Sequence, residues 1–184
     1  VNKLQTTSSG VDITGGFTAT DGSTITTADN SAQLTLISTD ADANAGPKLL
    51  LTRDSGSPAN DDITGKIEFN ADDSAGNITT YASINSNIRD VTNGAEDGEL
   101  RIDVITAGQN REALTINSTE MVVNDASIDR DFRVESNGSA NMLVVDASAD
   151  AVGIGIASPT IDGALAGVTV PSGSKLLHID DGDG

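Results

Sequence analysis

The sequence predicts an all-β chain of short antiparallel strands, and three observations carry that expectation. Apolar residues alternate with polar ones in short runs, turn dipeptides punctuate the runs, and almost nothing shows helical period. The clearest strand runs from Glu99 to Val104. Leu100, Ile102 and Val104 share one face there, and Glu99, Arg101 and Asp103 take the other. This pattern is expected to bury the aliphatic side and leave the charged side wet.

Weaker alternations occur at Leu34/Leu36, Ile67/Phe69, Leu114/Ile116, Met121 or Val122 with Val123, Phe132/Val134, Leu143/Val145 and Val152/Ile154. Thr and Val fill the intervals, as pleated, half-buried surfaces favour. Between them lie Asp21-Gly22, Asn93-Gly94, Asp97-Gly98, Asn137-Gly138 and Asp162-Gly163, residues that tolerate the positive φ of tight reversals. Pro47, Pro58, Pro159 and Pro171 stand in loop or strand-edge contexts, and residues 159 to 166 are read as turn rather than helix.

Composition limits how such strands can be stabilised. Aromatics make up 2% of the 184 residues (Phe17, Phe69, Phe132 and Tyr81), so Val, Ile, Leu and Ala must supply the buried area. Each square ångström of apolar surface buried contributes roughly 25 cal/mol, against backbone ordering at about 1–2 kcal/mol per residue. A chain this rich in Gly, Ser, Thr, Asn and Asp therefore needs neighbouring chains or long repetitive pairing. Full disorder is the competing outcome, and the 36% hydrophobic content with its regular apolar pairs argues against it.

A formal net charge of −18, from 28 acids and 10 bases, disfavours nucleic acid and anionic membranes, both of which require Lys/Arg clusters. Cysteine is absent, which removes disulfides, thiol catalysis and Cys-ligated zinc. No apolar run approaches the roughly 20 residues of a membrane-spanning helix. The opening at Val1 and the run Asp180-Asp181-Gly182-Asp183-Gly184 are read as the edges of a fragment of a longer protein.

Residues 112 to 124 align loosely with residues 141 to 155, each reading as strand, turn, strand. Residues 48 to 54 and 175 to 180 look like first halves of the same unit. Degenerate hairpin units suit a segmented, solenoid-like shaft in which each unit packs on its neighbours, with chance similarity between Ser/Asp/Val-rich stretches as the alternative. Three segments are expected: 1–46, an N-terminal β segment; 47–125, a central β-rich segment; and 126–184, a C-terminal β segment.

Candidate chemistry is sparse. The single His178 lies on a strand-like run without a nucleophile-elbow Ser, so a triad is not expected. The many carboxylates allow pairs of the glycosidase type, but sugar sites usually add aromatic platforms. Asp40, Asp42 and Asn44, and Asp180, Asp181 and Asp183, offer oxygen ligands without completing a calcium loop. Asn77, Asn117 and Asn137 begin Asn-x-Ser/Thr triplets that matter only in a glycosylating route. No catalytic residue, metal or cofactor is assigned.

From residue 130 to 159 the chain reads RDFRVESNGSANMLVVDASADAVGIGIASP, and Leu176-Leu177-His178-Ile179 follows. This run resembles a segment widespread in tail fibre and related virion structural proteins of bacteriophages, marine ones in particular. The resemblance is sharp over about a sixth of the chain, is stylistic from Gly10 to Asn70, and departs at Ile156, where Thr is usual.

The resemblance implies an elongated, fibrous homotrimer in the extracellular virion. It would be a structural, non-enzymatic segment that holds a distal receptor-binding tip for host attachment. Its partners would be sister copies, other tail proteins and, through a tip outside this segment, a host receptor. A receptor-binding or surface-adhesin module is the alternative function, with a polysaccharide depolymerase behind it.

The residues themselves leave two readings of the Gly153/Gly155 pair. Alternation with Val152, Ile154 and Ile156 gives one bare and one aliphatic strand face, which lets backbones approach closely. The other reading is a bulge or bend in a single sheet. A dinucleotide fingerprint is excluded, because Pro159 stands where its helix would run.

Overall fold

Alternating sequence becomes sheet chiefly between Ile63 and Ile154. The computed structural model describes residues 4–7, 10–13, 16–44, 46–159 and 177–179, and among them every regular element is a strand. No helix among the described residues is long and apolar enough to cross a membrane. The chain divides into two compact units between Leu50 and Leu51.

In the first unit, β1 (Leu4–Thr7) and β2 (Gly10–Ile13) form an antiparallel hairpin with Leu4 opposite Ile13. Residues 16–44 and 46–50 carry no strand and are exposed. The expected pair Leu34/Leu36 is therefore not a strand, and these residues remain 61% and 47% exposed. The alternation there has no neighbouring strand to complete a ladder, and an unpaired strand leaves its backbone groups to water.

The second unit contains an antiparallel meander in which each strand pairs with the next. Its members are β3 (Ile63–Asp72), β4 (Ile78–Asp90), β5 (Asp97–Thr106), β6 (Gln109–Ile116) and β7 (Met121–Val123). Each reversal has its own local chemistry. At β3–β4 the Asp73 carboxylate accepts from the backbone N–H of Ala75 and Asn77 at 2.8 and 2.9 Å, and Gly76 supplies φ +81°. At β6–β7 the Asn117 side chain accepts from the N–H of Thr119 and Glu120. Asp97-Gly98, expected as a turn, opens β5 instead, and the reversal lies at Thr92–Ala95 with Gly94 at φ +84°.

Between β5 and β6 only Ala107 and Gly108 intervene, at φ +50° and +75°. Both angles are positive, as a two-residue hairpin turn matched to strand twist requires. Alanine is poorly suited to this region and asparagine well suited. Ala107→Asn is expected to raise stability by about 0.5–1 kcal/mol, read as a higher urea midpoint at unchanged slope.

The remaining strands form a four-stranded sheet in the order β11 (Leu177–Ile179), β10 (Ala151–Ile154), β9 (Leu143–Asp146), β8 (Phe132–Val134). β8, β9 and β10 are antiparallel, and β10 and β11 are parallel, with Gly153 opposite His178. The Asp146 carboxylate closes the β9–β10 turn by accepting from Ala149 N–H and Ser148 Oγ, both at 2.8 Å. The loosely repeated segments 112–124 and 141–155 are thus each a hairpin. Residues 48–54 form no strand, and Asp162-Gly163 and most of the 159–166 stretch lie outside the described residues.

Candidate functional site

The register of the meander sorts its side chains into two faces of opposite character. On one face, Ile67, Ile84, Ile102, Leu114 and Val123 stand opposite one another in succession across all five strands. The neighbouring row holds Gly65, Ser86, Leu100, Ile116 and Met121, and Phe69, Ala82 and Val104 lie on the other side. On the opposite face Ser83 faces Asp103, Asn85 faces Arg101, and Asn87 faces Glu99.

Burial reverses the expectation from sequence. Glu99 and Asp103, expected on the wet side, are 7% and 2% exposed, whereas Leu100 and Val104, expected inside, are 42% and 38% exposed. The polar face buries itself laterally through bonds between strands. Asp103 Oδ2 accepts from Asn85 Nδ2 at 2.8 Å and from Ser83 Oγ at 3.3 Å. Arg101 Nη2 lies 3.2 Å from Asp103 Oδ1 and 2.5 Å from Glu112 Oε1. Glu99 accepts from Asn87 Nδ2 at 3.1 Å and pairs with Arg89, which also reaches Asp61. Burial opposes the charge on Asp103, but the Asn85 amide and the Arg101 guanidinium outweigh it and hold its carboxyl below the usual carboxylate range.

Among the described residues the apolar face has no comparable cover. Leu51 lies over Gly65, where an added Cβ would stand 3.1 Å from Leu51 Cβ. An open depression of about 260 Å³ beside it is lined by Leu51, Gly65, Ile67, Ile84 and Leu100, among others. Beyond Leu51, the aliphatic row is half-buried at Ile102 and Leu114 and open towards its ends, with Ile67 at 41% and Val123 at 40% exposure, and Met121 of the neighbouring row at 66%.

The four-stranded sheet repeats the contrast on a smaller scale. Phe132, Val145 and Val152 face one another on a side where Phe132 and Val145 are each 39% exposed. Its other side holds Val144 and Ala151, the buried hydrophobic residues of the chain's described part, with Gly153 opposite Val144. Here the Gly153/Gly155 pair resolves into a bend. β10 ends at Ile154, Gly155 takes φ +78°, and the chain folds back over Gly153. A Cβ on Gly153 would stand 2.6 Å from Ile156 Cγ2 and 3.2 Å from Pro159 Cβ, and Pro159 is fully buried. Ile156 therefore does not continue the aliphatic strand face of Val152 and Ile154. The positive φ turns it to the opposite side.

The residues weighed for chemistry are not brought together. Asp40, Asp42 and Asn44 form successive turns in which Asp42 accepts from the backbone and side chain of Asn44 at 2.8 and 2.7 Å. Asn77 and Asn117 are turn formers, and Asn137 lies in the β8–β9 reversal. His178 is placed by its backbone in β11, and residues 180–183 lie outside the described residues. What sequence reading missed is the Ser83/Asn85/Asn87 array on β4. Its signal was the strict alternation with Ala82, Ile84, Ser86 and Ile88. Comparison with protein-family models, curated proteins and solved structures finds no match for the chain.

Proposed function

We propose that the chain is a structural segment of a phage tail fibre, built as an elongated homotrimer of β-rich chains. In this reading it lies in the extracellular virion, contacts other tail proteins, and holds a distal receptor-binding tip away from the particle. Its work is mechanical, and its side chains carry no reaction. The observation that supports this reading is the aliphatic face of the β3–β7 meander, laid out across five strands and left open among the described residues. An exposed face of this kind marks an interaction surface. The resemblance over residues 130–159 supplies the class of assembly, and the Gly153 bend gives that run a structural purpose.

Light scattering on the purified chain tests the reading. The expected mass is that of three chains, held at micromolar concentration. A stable, folded monomer at that concentration overturns it.

A further inference from the structure

The proposed self-association leaves open which surface the copies share. We infer that the aliphatic face of the β3–β7 meander is the surface on which sister copies of this chain pack, sheet face against sheet face. This deepens the fibre reading and rests on it.

Three observations select this surface and this occupant. The first is area. On the unfolded-chain scale of about 1.45 Å² per dalton, the eight large residues of the face that are 36% or more exposed leave on the order of 600 Å² open. A standard interface takes about 800 Å² from each partner, just over half of it apolar. The face alone offers apolar area comparable to the non-polar share of a standard interface.

The second is charge. A chain at −18 repels its own copies at most approaches. In the two central rows, Ile67 to Val123 and Gly65 to Met121, no side chain is ionisable. Glu68, Glu99, Asp103 and Glu112 lie on the opposite face, where Arg89 and Arg101 already pair with Glu99, Asp103 and Glu112, and Asp72 and Asp90 stand at strand ends outside the two rows. Like copies can therefore meet through these two rows without setting carboxylate against carboxylate.

The third is the state of the sheet edges, which offer the competing route of adding strands side by side. Edge strand β3 is broken in register at Ile63/Gly65 and at Phe69/Asn70 and carries the Lys66–Glu68 ion pair. The other edge, β7, is three residues long. Bulges, charges and short length are the devices that stop sheets from joining edge to edge. Association is left to the face.

The absence of native cysteine makes single-cysteine variants clean reporters. Ile84→Cys places a thiol at the centre of the aliphatic face, and Glu68→Cys places one on the opposite side of the sheet. In the full-length chain at assembling concentration, maleimide should label Ile84→Cys at least tenfold more slowly than Glu68→Cys, with the difference vanishing on dilution. Ile102→Cys should cross-link copies on mild oxidation. Ile84→Lys should yield monomers with unchanged far-ultraviolet dichroism, and the labelling result stands even if that variant misfolds.

An oligomer in which Ile84→Cys labels as fast as Glu68→Cys overturns this surface while leaving self-association intact. A folded monomer with Ile84→Cys freely labelled overturns both. A monomer in which Ile84→Cys is protected also overturns the inference, because the chain would then cover its own face.

Discussion

Asp103→Ala is expected to destabilise the chain by about 2–4 kcal/mol, the largest effect of any single polar substitution in the meander. The side chain is 2% exposed and accepts from Asn85 and Ser83 while facing Arg101. Removing it strands a buried amide and leaves Arg101 with Glu112 as its only carboxylate partner. Urea unfolding at fixed chain concentration, compared with the parent, reads the loss. A change below 0.5 kcal/mol would show that the lateral network contributes little.

Asp103→Asn separates charge from shape. The folded-state pKa of Asp103 is depressed, so its ionisation stabilises the fold fully above the unfolded carboxylate value of about 4. That contribution disappears as pH falls through the lower folded-state value. The parent should therefore lose stability below about pH 4 more steeply than Asp103→Asn does. Parallel acid limbs would remove Asp103 from the account. Asp73 and Asp146, held low chiefly by backbone N–H groups of Asn77 and Ala149, supply the acid sensitivity that both proteins share.

Gly153→Ala is expected to cost about 1–3 kcal/mol, the usual range for forcing a methyl into a filled space. The new Cβ would meet Ile156 Cγ2 at 2.6 Å and the Ile156 carbonyl oxygen at 3.1 Å. Because the nearer obstacle is a side chain, Ile156→Ala should relieve part of the clash. The double variant should then be less destabilised than the two single effects added together. Strict additivity in thermal or urea melts would mean that Ile156 does not cap Gly153.

How far the sequence could be read depended on where the deciding forces lay. β5 was legible because Leu100, Ile102 and Val104 alternate with three charged residues, and β6 to β10 carried the same period more faintly. β4, the longest strand described, escaped notice because its polar positions are Ser83, Asn85 and Asn87, and asparagine is depleted in strands. They are accommodated by Asp103, Arg101 and Glu99 on the neighbouring strand, a tertiary effect that no local window contains. Leu34/Leu36 had the period but no partner strand. The alternation at Val152–Ile156 ended early because Gly155 adopts a positive φ, which glycine permits without announcing.

The faces of the meander could be separated from sequence, but not assigned to inside and outside. Periodicity fixes which side chains share a side. Which side becomes enclosed depends on what lies over it, and here the polar side encloses itself through cross-strand bonds.

Every partner in the β3–β7 meander is its immediate successor in the chain. Contacts between consecutive segments close short loops, and loop closure is the slow, entropically costly part of building sheets. Each polypeptide can therefore zip its hairpins one after another as it leaves the ribosome, before any sister is within reach. In the proposed assembly, folding of this sheet is a first-order event that precedes a concentration-dependent docking step, and the two should separate cleanly in refolding kinetics.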